Sequence, residues 1–139
     1  KELPADLADE TLLFARMIRD ADKLDVFRVF IEYHKLYTEA PDQFMLEIEF
    51  ADEPACSPEV VEAILNGQLV GYGRLRTLND MKLMLIGWVY DVNFTATLER
   101  VGERRYFETL FGLLPQTEQV RTVRDKIFAY IDSRLRQRE

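Results

Sequence analysis

Hydrophobic residues recur along most of this chain at helical spacing, and the breakers are few and well separated. The pattern predicts a long first helix over residues 7–37, limited by Pro41, because the residue before a proline avoids the α region. A short helix is expected over residues 42–50, with Asp42 as its N-cap. Ser57, Pro58 and Glu59 then form a clean start signal, and Asn66-Gly67 offers a left-handed stop. Residues 68–77 contain Gly71 and Gly73 and read as a loop or short extended piece. A helix follows over residues 78–93, with weaker ones over 95–111. After Pro115, Thr117 caps a last amphipathic helix with Val120, Val123, Ile127, Ile131 and Leu135 on one stripe. The class this predicts is all-α.

The first helix is unusual on a wheel of about 100° per residue. Leu13, Met17, Ala21, Leu24 and Ile31 make one apolar stripe. Ala15, Ile18, Val26, Val29 and Tyr33 make a second, with Arg16, Arg19 and Lys23 on an exposed strip between them. Asp22 falls within the second stripe, between Ile18 and Val26 one turn away on either side. A carboxylate in apolar surroundings needs a partner, a hydrogen bond or a metal. Two readings stay open: a buried ion pair with an arginine from another helix, or a metal ligand. Asp20 and Asp25 flank the other stripe, with easier access to water. Asp20 and Asp22 lie roughly 200° apart, too far to serve one site from a regular helix.

Composition narrows the function classes. The chain has 139 residues, enough for one domain that buries roughly two-thirds of its unfolded surface. Its net charge of -7 opposes general binding to nucleic acid, although a bound cation can invert the local field for a small phosphorylated ligand. No run is long enough to span a membrane, no signal peptide opens the chain, and a cytoplasmic location is expected by default. Cys56 is the sole cysteine and cannot make an internal disulfide or a thiolate metal site alone. The chain starts at Lys1 instead of methionine, which raises the expectation of a fragment or processed product.

The run Ile18-Arg19-Asp20-Ala21-Asp22-Lys23-Leu24-Asp25 resembles the last signature of the HD-domain superfamily of metal-dependent phosphohydrolases. The matching core is Ala21-Asp22-Lys23-Leu24. Leu12-Leu13-Phe14-Ala15, Val26-Phe27-Arg28 and Gly87-Trp88-Val89-Tyr90-Asp91-Val92-Asn93-Phe94 are similar to some members. The resemblance implies a helical bundle in which a histidine, a His-Asp pair and a later aspartate hold divalent metal. Asp22 is that later aspartate, with Asp20 and Asp25 as weaker candidates. The chain departs from the pattern in having no His-Asp dipeptide, and its one histidine, His34, lies downstream of Asp22 and reads as a helix-end surface residue. The resemblance therefore implies the C-terminal part of an HD-like domain, lacking its N-terminal helices. That part would be inactive alone, while the parent acts on a small phosphorylated substrate. The alternative is a non-catalytic helical module for homo-oligomerisation or partner binding.

Other residues carry weaker signals. Asp80, Met84, Gly87 and Asp91 share a helix face, where Gly87 permits close approach. The two acids could belong to a metal shell or pair with Arg74, Arg76 or Arg105, each near a helix end with access to water. Arg74 and Arg76 are candidate contacts for a substrate phosphate. Gly71-Tyr72-Gly73-Arg74 lacks the lysine and strand-to-helix context of a phosphate loop and reads as a turn. No Ser, Cys or His grouping suggests a nucleophilic triad. Missing helices would leave apolar surface around Ile18, Val26 and Val29, so a homo-oligomer is expected.

Overall fold

The computed structural model describes residues 2–42, 50–51 and 53–137. Six α-helices are found there: α1 (Asp9–Glu39), α2 (Pro58–Leu65), α3 (Leu78–Gly87), α4 (Thr95–Glu103), α5 (Tyr106–Gly112) and α6 (Glu118–Arg136). Two 3₁₀ turns, Tyr72–Arg74 and Trp88–Asp91, complete the regular structure. Among the described residues no strand forms, only an isolated parallel bridge between Ala51 and Thr77. The chain is all-α, as the periodicity predicts. The helix expected over residues 42–50 lies largely outside the described residues.

Local chemistry explains most boundaries. Pro58 opens α2, and Gly67 after its end takes a φ of 71°, a left-handed position that suits glycine. Thr77 and Asp80 form a reciprocal capping box at the start of α3. The Thr117 hydroxyl accepts from Val120 N at 3.2 Å and starts α6. One expectation is corrected in detail. The helix over 78–93 ends at Gly87 and tightens into the 3₁₀ turn. The helices expected over 95–111 are α4 and α5, separated at Arg105, whose φ of 54° lies in the left-handed region.

The core is organised around α3, in which every residue but Met81 is buried. Gly87 does allow close approach: a Cβ there would sit 3.4 Å from Ile64 Cγ1 of α2. From the other side Phe27 of α1 inserts among Trp88, Tyr106 and Phe107, at ring-centroid distances of 6.1, 6.1 and 5.4 Å. A fully buried phenylalanine contributes roughly 1.5–3 kcal/mol, so Phe27 is the principal anchor of α1.

The rest of α1 is attached by few side chains. Only Asp20, Lys23, Phe27 and Phe30 are buried along its 31 residues, and none of residues 9–19 is. The orientation expected from the wheel is therefore corrected. The buried line runs through Asp20 and Lys23, between the two apolar stripes, and Asp22 is exposed. Ile18 is 68% exposed and Phe14 53%, while Val26 and Val29 are half-buried. Two aromatic anchors and two satisfied charges outweigh the small aliphatic residues in deciding which side faces inward.

Candidate functional site

The two sequence runs around Asp22 and Asp91 meet in space. Asp20, 3% exposed, turns its carboxylate onto the start of α4. It accepts from Asn93 N at 3.0 Å, Asn93 Nδ2 at 2.9 Å, Phe94 N at 3.0 Å and Thr97 Oγ1 at 2.7 Å. Backbone N–H groups at a helix start lack intrahelical partners, so a carboxylate there is a cap supplied from another helix. One turn along α1, Arg19 Nη2 and Lys23 Nζ converge on Asp91 Oδ2 at 2.8 and 2.9 Å. Asp20 points into structure, so it is not free to serve a site.

Asp22 points the other way. Among the described residues no hydrogen bond or ion pair engages its carboxylate, and it lines a cleft of about 700 Å³. Arg19, Lys23 and Asp91 line the same cleft, as do Leu69, Tyr72, Met84 and Trp88 opposite. The cleft is thus amphiphilic, with a charged wall from α1 and an aromatic and aliphatic wall from residues 69–88. Asp25 is bound to Arg28 at 2.6 Å on the surface and does not join it. Asp91 does join it, paired with Arg19 and Lys23 and not with Arg74, Arg76 or Arg105.

Arg74 and Arg76 are exposed and neither lines the cleft; Arg76 lies 3.9 Å from Glu59. The cations that do line it, Arg19 and Lys23, were not singled out from the sequence as site residues. Their one-turn spacing, with like charges aimed at one acid, is the signal that could have found them. His34 is half-buried on α1, its ring 6.1 Å from that of Phe30.

Asp80 is also corrected: it is not near water but 0% exposed. Ser57 N and Oγ donate to it at 2.8 and 2.6 Å, and Arg76 N and Thr77 N donate at 3.0 and 3.2 Å. It staples the start of α2 to the start of α3 and takes no part in the cleft. Cys56 is half-buried beside it, and burial together with the Asp80 charge pushes its thiol up, away from nucleophilic thiolate.

Burial alone would raise the carboxyls of Asp80 and Asp91, but their donors more than offset it. Ser57, Arg76 and Thr77 hold Asp80 below the ordinary 3.8, and Arg19 and Lys23 do the same for Asp91. A folded-state value below the unfolded one stabilises the fold in full only above about 3.8, and this contribution is lost as pH falls through the lower folded values. Urea unfolding at stepped pH should therefore show a falling midpoint below pH 4. Asp80→Asn with Asp91→Asn should flatten that slope, and an unchanged slope would exclude these two groups as its source.

No protein-family model, curated protein sequence or solved structure matches this chain. Fold and site together define a class: an all-α protein with an amphiphilic cleft between its long first helix and the 69–88 segment. No described helix is long and apolar enough to cross a membrane.

Proposed function

We propose that this chain is the C-terminal part of a metal-dependent phosphohydrolase of the HD type, with Asp22 as its one contribution to the metal. The observation that carries this reading is the unengaged Asp22 carboxylate at the cleft, on the same open side of α1 as Ile18, one turn before it. Leu13, Phe14, Met17 and Ile18 are 47–68% exposed, a contiguous apolar surface of the kind that another element covers. Helices packed there would bring their own ligands towards Asp22.

The residues present here do not make a metal centre by themselves. Among the described residues no three His, Cys, Asp or Glu side chains are grouped to hold an ion, and one carboxylate is insufficient. A divalent metal held with further ligands would activate water and neutralise a phosphoester. This chain supplies the cleft around that chemistry. The Arg19–Lys23 wall suits the substrate's phosphate oxygens, and Tyr72 and Trp88 suit its apolar part.

The second reading, a non-catalytic module that self-associates, is favoured by the same uncovered face of α1. The test assays p-nitrophenyl phosphate hydrolysis by the full-length parent, with and without a chelator, beside the 139-residue chain. Metal-dependent turnover by the parent and none by the chain alone is the expected result. An inactive, metal-free parent, with the chain a dimer by light scattering, would give the second reading instead. Robust turnover by the chain alone would refute the proposed division of ligands.

A further inference from the structure

A second depression, about 500 Å³, lies between α4, α5 and α6, on residues the cleft does not use. Its floor is apolar: Leu98, Val101 and Phe107 are almost fully buried beneath it, with Ile131 of α6 alongside. Four carboxylates, Glu99, Glu103, Glu108 and Asp132, also line it, and no lysine or arginine does. Glu103 is held by Arg100 at 2.9 Å, and Glu99 also has a partner. Glu108 is different, because its Oε2 is buried with no hydrogen-bond partner among the described residues.

A buried carboxylate oxygen without a donor is costly, since its desolvation is not offset. A turn of the half-buried Glu108 side chain that brings this oxygen to the groove surface, onto a cationic donor from outside, removes the cost. An apolar floor under an acidic wall suits a side chain with an aliphatic stem and a charged tip, which is how lysine and arginine lie along apolar surfaces.

We propose that this groove docks a cationic amphipathic helix of a partner protein. The partner's leucine-type residues cover Phe107 and Ile131, and one of its lysines or arginines donates to Glu108. Charge complementarity selects that occupant: an acidic or purely apolar helix would leave Glu108 and Asp132 desolvated and unpaired.

The test is fluorescence anisotropy with a labelled leucine–lysine amphipathic peptide and its leucine–glutamate counterpart, titrated with the full chain at low and moderate salt. The lysine peptide should bind and the glutamate peptide should not. Glu108→Gln, which keeps the shape, should weaken binding about tenfold or more, as loss of one charge-assisted hydrogen bond implies. Asp132→Lys should weaken it further. Asp6→Lys, the same charge change at an exposed residue away from the groove, should leave it within about twofold.

Should Glu108→Gln unfold the chain, the pair Asp132→Lys and Asp6→Lys still decides. Equal weakening by both would mean non-specific attraction to an acidic protein and would overturn the proposal. So would no binding of either peptide, or a dimer that Asp132→Lys dissolves, which would make the groove an interface between copies of this chain.

Discussion

On the proposed HD-type function, Asp22→Asn in the full-length parent should strip or weaken the bound metal and lower turnover by orders of magnitude, while variant and parent melt alike once a chelator has removed metal from both. Asparagine keeps the volume of the side chain and removes its charge, which is what a metal ligand needs. Because Asp22 is exposed and no described residue engages it, its loss orphans nothing, and stability of the metal-free protein should stay within about 0.5 kcal/mol. Metal stoichiometry, turnover and a thermal melt on one preparation check all three parts. Full metal occupancy in the variant would remove Asp22 from the site, and a large drop in melting temperature with metal chelated from both proteins would show that it has a structural partner in the parent.

Asp20, two residues earlier, should behave in the opposite way. Asp20→Ala removes a buried acceptor that four donor groups share, from Asn93, Phe94 and Thr97. Two of those donors are backbone N–H groups at the start of α4, and they would be left dry or opened to water. The expected loss is about 3 kcal/mol, seen as a lower urea midpoint at unchanged slope. The corresponding fall in melting temperature is roughly 10 °C. A loss below about 0.5 kcal/mol would mean that water replaces the carboxylate and that the cap does not hold α1 to α4. Metal content in the parent should change less in this variant than in Asp22→Asn, because Asp20 faces the fold and not the cleft.

The contrast between these neighbours shows how the site was legible and where it was not. The spacing in the 18–25 run separates Asp20 and Asp22 onto different sides of a helix, and the structure keeps that separation. Which side is the inner one could not be read from α1, because aliphatic residues occupy both. The answer depends on Phe27 finding the pocket made by Trp88, Tyr106 and Phe107, and on Asn93, Phe94 and Thr97 offering donors to Asp20. Those partners lie more than 60 residues away in sequence. Arg19 and Lys23 escaped notice as cleft residues for the same reason, since their common target, Asp91, arrives from the far end of the 3₁₀ turn.

Where the physics is local, residue order was enough. Pro58 at the start of α2, Gly67 at its end, the Thr117 cap and the Val120, Val123, Ile127 and Ile131 stripe all act within one or two turns. Their geometry follows from backbone sterics and unpaired N–H groups, which need no distant partner. Burial of charge is a different matter, because a carboxylate goes inside only where donors from elsewhere await it. Asp80 and Asp20 found such donors and became structural staples, and Asp22 found none and was left facing the cleft. Which of the three went inside was decided by tertiary contacts, since Asn93, Phe94 and Thr97 for Asp20 and Ser57 for Asp80 lie far along the chain.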